Sequence, residues 1–171
     1  MSPSPFIVEW IGRINGERGG QRRALDVAMG RGRHTLALAR AGFKTFGVDV
    51  RLDAVRDAIA DARGEGLRVH GWCADLTRHP LSRARFDLVV VSRYLQRDLF
   101  EDLRAALVPG GVMIYETFTT HQRALGRPPS SADHLLEPGE LRDRFDGFEV
   151  LFYEEVMAPD ALARLVARSR S

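Results

Sequence analysis

The chain has 171 residues, 44% of them hydrophobic, which is enough for one well-buried core and too little for two ordinary domains. We therefore expect a single domain over residues 1–171. A formal net charge of +2 is too small to indicate a nucleic-acid or anionic-membrane partner by itself. Cys73 is the sole cysteine, which excludes an intrachain disulfide and a thiolate-rich metal site, so we expect no metal and a cytoplasmic location. Apolar stretches fall far short of the roughly 20 residues of a membrane helix, so no membrane partner is expected.

Strands and helices alternate along the chain. Helical spacing or composition predicts helices at residues 6–14, 34–41, 52–63, 99–107 and 137–145. Short apolar runs predict strands at residues 23–28, 44–50, 67–73, 86–92, 112–117 and 148–156. The pattern of residues 161–168 fits either a helix or a strand. This order is typical of a doubly wound α/β fold, a mostly parallel sheet with helices on both faces.

Two segments around the fifth strand have a distinct composition. Pro109, Gly110 and Gly111 predict a turn directly before that strand. Residues 119–136, which follow it, are polar and contain proline. A connection of that length in a compact domain is more often functional than incidental, so we interpret it as a lid over the binding edge.

Carboxylates follow three successive predicted strands. Asp26 precedes a turn that contains Gly30 and Gly32, Asp49 ends the second strand, and Asp75 follows the third. In a doubly wound sheet these positions meet at one edge, where ligands bind. For any one of these residues alone, a helix cap or a solvated turn is the better interpretation. All three together predict a nucleoside site, with Asp49 accepting hydrogen bonds from ribose hydroxyls and Asp75 from an adenine amino group.

A dinucleotide-binding dehydrogenase is the main structural rival. Its fingerprint needs a third small residue where Thr35 stands. A carboxylate at Asp26 would also repel a pyrophosphate, whereas it suits a cationic ligand. The sequence therefore argues against NAD.

Motifs along nearly the whole chain resemble those of class I S-adenosylmethionine-dependent methyltransferases. Residues 25–32 are similar to the first motif, and residues 47–49, 74–76, 86–91 and 107–111 match the later motifs in order and spacing. More narrowly, four segments resemble the small tellurite-resistance-type methyltransferases. They are residues 4–6, 92–95, 116–118 and 136–141.

The resemblance implies a Rossmann-like seven-stranded sheet with the last strand antiparallel, so it favours a strand at residues 162–168. It also implies S-adenosyl-L-methionine as cofactor, with its methionine part over Gly30 and Gly32 and with Asp26 near its ammonium or acting as an orienting partner. The residues expected to bind the cofactor are Asp26, Gly30, Gly32, Arg33, Asp49, Val50, Asp75, Leu76 and Ser92.

Methyl transfer to a small-molecule nucleophile, such as a thiol or a chalcogen oxyanion, is the predicted activity. Arg93, Tyr94 and His121 are the candidate catalytic residues. Arg93 could hold an oxyanion and His121 could act as a base, although solvated surface side chains are the alternative for both. Further substrate contacts are expected from Phe6, Trp10, Glu116, Thr117 and Arg123. For the two aromatic residues, a place in the hydrophobic core is the better interpretation.

Two other classes of function stay open. A nucleic-acid (RNA) methyltransferase would use a basic strip formed by Arg13, Arg18, Arg22, Arg23, Arg31 and Arg33. Residues 92–95 read Ser-Arg-Tyr-Leu, which departs from the Pro-Pro-aromatic element of amino-methylating DNA enzymes, and no RNA-binding module is evident. The other class is a non-catalytic S-adenosylmethionine-binding module.

Overall fold

One seven-stranded sheet organises the protein, for which a computed structural model describes residues 1–17 and 19–170. The strands are β1 Arg23–Val27, β2 Lys44–Asp49, β3 Val69–Cys73, β4 Phe86–Ser92, β5 Leu107–Phe118, β6 Glu149–Val156 and β7 Leu162–Arg168. They lie in the order β3-β2-β1-β4-β5-β7-β6, and only β7 runs antiparallel to its neighbours. The predicted doubly wound sheet and its final strand are confirmed. Strand order reverses between β1 and β4, where a ligand crevice is expected.

Helices pack on both faces of this sheet. They are α1 Pro5–Glu17, α2 Arg33–Arg40, α3 Leu52–Gly64, α4 Phe100–Ala106 and α5 Glu140–Arg144. Leu88 and Val90 of β4 join the apolar cluster under α1 and α2, while Val89 and Val91 join the cluster under α4 and α5. The continuous apolar run of β4 is thus covered on both sides, as expected for a central parallel strand. No described helix is long and apolar enough to cross a membrane.

The turn predicted at residues 109–111 is in fact part of β5. Leu107 already pairs with Phe86, and pairing resumes between Val112 and Leu88, so the intervening residues bulge out of the ladder. Gly110 adopts a φ of 79°, which favours glycine, and its N–H donates to the carbonyl of Ser169. The prediction was wrong on this point because the bulged residues keep backbone hydrogen bonds to the segment after β7, which local composition does not reveal.

Candidate functional site

The turn between β1 and α2 passes through left-handed backbone conformations. Ala28, Gly30 and Gly32 have φ angles of 53°, 55° and 82°. A Cβ on Gly32 would lie 2.6 Å from the Cβ of Ala58 on α3, whereas a Cβ on Gly30 would meet nothing within 4 Å. Gly32 is therefore required for close packing as well as for its conformation, and Gly30 for its conformation alone.

Asp26 is buried beneath this turn with 2% of its surface exposed. Its carboxyl accepts a hydrogen bond of 2.7 Å from the hydroxyl of Thr35, in the first turn of α2. Burial raises the pKa of Asp26 to about 7, against the lowering effect of the Thr35 hydrogen bonds. In the sequence, Thr35 was notable only because it replaces the third small residue of a dinucleotide-binding fingerprint. In the structure it holds Asp26 in place. Finding this contact required the helix geometry.

Asp49 and Asp75 both make local hydrogen bonds at their strand ends. One carboxylate oxygen of Asp49 accepts from the N–H of Gly30 at 2.8 Å, and the other accepts from the N–H of Arg51 at 2.9 Å. Asp75 accepts from the hydroxyl and the N–H of Thr77 at 2.6 and 3.0 Å, and these bonds lower the pKa of Asp75. Both carboxylates therefore stabilise local turns, which was the alternative to a ligand-binding role. Asp49 additionally ties the end of β2 to the glycine turn.

A cavity of about 410 Å³ lies between the ends of β1, β2 and β3. Of the predicted site residues, it is lined by Asp49, Val50, Asp75, Leu76 and Tyr94. Val50 is 66% exposed, so an apolar side chain stands open at the cavity. Apolar walls with two carboxylates suit a nucleoside, because its base packs on an apolar surface and its hydroxyls donate hydrogen bonds to acceptors.

A second cavity, of about 550 Å³, lies on the other side of Ala28, which lines both. Its lining includes the predicted residues Asp26, Gly30, Arg33, Ser92 and Arg93. The Arg33 guanidinium donates to the hydroxyl of Ser92 at 3.4 Å. Burial, and next the neighbouring Arg93 guanidinium, lower the pKa of Arg33. Among the described residues no carboxylate lies within 4 Å of Arg33, so this half-buried cation lacks an ion-pair partner.

The backbone of residues 93 and 94 is fixed by β5. Arg93 has a φ of 53°, which is uncommon for a residue with a side chain, and its N–H donates to the carbonyl of Glu116 at 2.7 Å. The carbonyl of Tyr94 accepts from the hydroxyl of Tyr115, a side chain that is 1% exposed. Tyr115 was missed because nothing in its sequence context distinguishes it from other core aromatics. The side chain of Arg93 pairs with Asp160 at 3.5 Å.

His121 is the predicted catalytic residue that the structure does not bring to the others. It is exposed on a short 3-10 helix, Thr120–Leu125, and lines neither cavity. The neighbouring Gln122 is buried and bonds to Asp160 and to the N–H of Ala161, so it fastens this segment to the connection between β6 and β7. The expectation of a base at position 121 therefore gains no support, and Arg123 likewise bonds only a carbonyl within its own loop, that of Ser130.

The other proposed substrate contacts belong to the core. Phe6 and Trp10 pack against Phe152 of β6, with ring centroids 5.6 and 5.8 Å apart. Glu116 is 2% exposed and pairs with Arg164 at 2.7 Å. The core interpretation of the two aromatic residues is confirmed, and Glu116 reaches the site only through its backbone carbonyl.

Several arginines of the basic strip that a nucleic-acid enzyme would use have partners within the chain. Arg13 pairs with Glu9 on α1, and Arg31 pairs with Asp57 on α3. Arg22 stacks over Phe43 and donates to the carbonyl of Ile14. Arg18 lies outside the described residues.

Comparison with known proteins agrees with this architecture. The profile of the methyltransferase domain family matches residues 24–111, which include β1 to β4 and the glycine turn. A ubiquinone biosynthesis O-methyltransferase from Bordetella avium (strain 197N) is 25% identical over 158 residues, covering 81% of this chain and 65% of that protein. The chain thus spans slightly less than two thirds of this relative.

Two solved structures illustrate the shared fold. TehB from Haemophilus influenzae superposes with a TM-score of 0.83 at 17% identity, covering 98% of this chain and 63% of TehB. An S-adenosylmethionine-dependent methyltransferase from Methanosarcina mazei superposes with a TM-score of 0.74 at 18% identity, covering 99% of each chain. At such identities the likeness concerns the fold, and the family match comes from the sequence profile. The chain therefore belongs to the methyltransferase domain family, and its fold is that of the class I methyltransferases.

Proposed function

We propose that this methyltransferase acts on a small molecule whose acceptor group is anionic, such as a thiolate or a chalcogen oxyanion. The observation that carries the proposal is the pair of guanidinium groups, Arg33 and Arg93, at the second cavity. Arg33 has no carboxylate partner among the described residues, and its pKa is lowered by burial and next by Arg93. An anion placed between the two side chains would relieve this repulsion and receive planar sets of donors.

The cofactor fits the two cavities as one extended molecule. The nucleoside would occupy the smaller cavity, with its hydroxyls toward Asp49 and its base beside Asp75 and Leu76. The methionine part would pass over Gly30, where no Cβ blocks the approach, into the larger cavity. Asp26 is held by Thr35 below this path, so it orients the turn.

Bound S-adenosylmethionine supplies a methyl group that its sulfonium has already activated. The protein then needs mainly to hold the acceptor in line with that group, and orientation alone can contribute about 7–11 kcal/mol. Arg93 is suited to this task because Glu116 fixes its backbone from the buried strand β5. An acceptor that is already anionic needs no general base, which agrees with the remote position of His121.

The relative from Bordetella avium is named for an O-methylation in ubiquinone biosynthesis, and this supports a small-molecule acceptor here. Arg13 of α1 and Arg31 of the glycine turn each pair with a carboxylate. This also supports a small acceptor, because a polynucleotide would need a continuous basic path.

A transfer assay with radiolabelled methyl donor tests the proposal. We expect label to enter at least one member of a panel of small thiols, selenium and tellurium oxyanions and phenols, and none to enter RNA. Arg93→Gln should raise the KM for that acceptor about tenfold or more, since it removes hydrogen bonds to a charged group, while affinity for S-adenosylhomocysteine stays within a few-fold. Arg56→Gln, which removes an exposed arginine of α3, is the matched control. Label in RNA alone, or a KM indifferent to Arg93, would contradict the proposal.

A further inference from the structure

On the face of the sheet that α4 and α5 cover elsewhere, the part formed by β2 and β3 has no helical cover. The connection from β3 to β4, residues 74–85, is described throughout and contains turns but no helix. The other face of β3 is covered by α3, whose Val55 and Ile59 approach Gly71 closely. Side chains on the uncovered face therefore remain partly exposed, and they line a groove of about 720 Å³.

The floor of this groove is aromatic. Phe46 of β2 stacks on His70 of β3, with centroids 5.0 Å apart and planes inclined by 25°. Phe46 also meets the edge of Phe86, and Trp72 lies two residues beyond His70 on the same face. The Arg23 guanidinium and the Lys44 ammonium lie over the Phe46 ring, 6.0 and 5.9 Å from its centroid, so Trp72 is the aromatic side chain left for an incoming planar ring.

Three cationic side chains stand at one end of the groove. Arg23 and Lys44 begin β1 and β2 and are partners in the sheet register, and Arg85 directly precedes β4. Among residues 1–17 and 19–170, no Asp or Glu lines the groove. Within these ranges none of the three side chains has a carboxylate within 4 Å, and the carboxylate of Asp87 accepts from the backbone N–H of Arg23.

We propose that this groove is a second ligand site, for a small aromatic anion. The planar ring would pack on Trp72 beside Phe46, and the anionic group would lie among Arg23, Lys44 and Arg85. The volume is in the range of ligand clefts, about 300–1,000 Å³. Because the cations gather at one end and do not follow a track, a single ligand fits better than a nucleic-acid strand.

The site is separate from the proposed active site but touches it. Ala74 and Leu76 line both this groove and the smaller cofactor cavity. A ligand in the groove therefore lies beside the nucleoside without overlapping the turn at Gly30. The inference does not depend on the identity of the methyl acceptor.

Nuclear magnetic resonance of the full chain gives a direct test. The protein contains two tryptophans, Trp72 in the groove and Trp10 on α1, and the indole N–H signals of the two can be assigned with Trp10→Phe. With S-adenosylhomocysteine present in excess, naphthalene-2-sulfonate should shift the Trp72 signal in a saturable way and leave Trp10 unmoved. Neutral naphthalene-2-methanol should bind about tenfold more weakly, because it cannot use the cations.

A variant that lacks two of the groove cations distinguishes binding at this site from nonspecific binding elsewhere on the surface. Lys44→Gln with Arg85→Gln should raise the dissociation constant of naphthalene-2-sulfonate about tenfold, as expected for losing two exposed charge contacts. Arg56→Gln with Arg63→Gln removes the same charge from exposed positions of α3, on the opposite face, and should leave it unchanged.

Five results would overturn the inference. Four of them are equal binding of the neutral analogue, insensitivity to the Lys44 and Arg85 changes, displacement of the probe by S-adenosylhomocysteine, and a Trp72 signal that depends on protein concentration without ligand. The last would assign the groove to a second copy of the chain. A polyuridylate strand binding far more tightly than the sulfonate would likewise replace the small ligand by nucleic acid.

Discussion

Replacing Gly32 by alanine should destabilise the fold by a mechanism that the structure separates into two parts. An alanine in the left-handed region costs about 1–2 kcal/mol of conformational energy. The new Cβ would also lie 2.6 Å from the Cβ of Ala58, a contact that ordinarily needs about 3.5–4.0 Å. Opening that gap between α2 and α3 resembles overpacking a core, which costs about 1–3 kcal/mol. We expect a total loss of about 2–5 kcal/mol in the free energy of unfolding.

Gly30→Ala is the matched control for Gly32→Ala. Its φ of 55° carries the conformational cost, but its Cβ would meet nothing within 4 Å, so it should lose only about 1–2 kcal/mol. Urea unfolding followed by circular dichroism measures both values. Combining Gly32→Ala with Ala58→Gly removes the clash and should recover part of the loss, less the cost of about 1 kcal/mol for glycine in a helix. Equal losses for the two glycines, or no recovery in the double variant, would refute the packing argument.

Three further variants test the hydrogen bonds of the site. Burial holds the folded pKa of Asp26 near 7, above its unfolded value, so the folded state retains a proton that the unfolded state has released, and the Asp26 contribution to stability should fall by about 3–4 kcal/mol as pH rises from about 4 to 7. Burial lowers the folded pKa of His34 to about 4, which changes stability in the opposite direction over this range, so the test is the difference in pH slope between the unchanged protein and Asp26→Asn in urea unfolding. Asp49→Ala should weaken S-adenosylhomocysteine binding by about 1.5–3 kcal/mol in calorimetry with the fold intact, and normal binding would reduce Asp49 to a turn residue. Gln122→Ala should lower the free energy of unfolding by about 1–3 kcal/mol because it leaves the N–H of Ala161 buried without its acceptor, while an unchanged melting curve would show that the loop is not fastened there.

The order of elements was predictable because it depends on local patterns. Continuous apolar runs and glycine positions placed β1 to β5 and the first helices within a few residues. Residues 162–168 were ambiguous from periodicity, since β7 is buried on both faces and so lacks the alternation of a surface strand. There the resemblance to a family decided correctly. The bulge in β5 could not be foreseen, because it depends on hydrogen bonds to a segment almost sixty positions away.

The candidate site was predictable to the extent that it lies at strand ends. Asp26, Asp49 and Asp75 reach one edge because parallel strands end together, and this follows from the fold alone. The contacts of Thr35 and Tyr115 depend on how helices and strands pack, for which the sequence has no period or motif. The place of His121 outside the lining of both cavities was unforeseeable for the same reason, since the position of its loop is set by Gln122 and by the bonds of Arg97 to the carbonyls of residues 132 and 135.

Calorimetric titration of the purified chain with S-adenosylhomocysteine and, separately, with NAD tests the placement of the cofactor most directly. The two carboxylates, the glycine turn and the paired cavities predict a saturable, micromolar-range interaction with S-adenosylhomocysteine and none with NAD. Binding of NAD without S-adenosylhomocysteine would contradict the account.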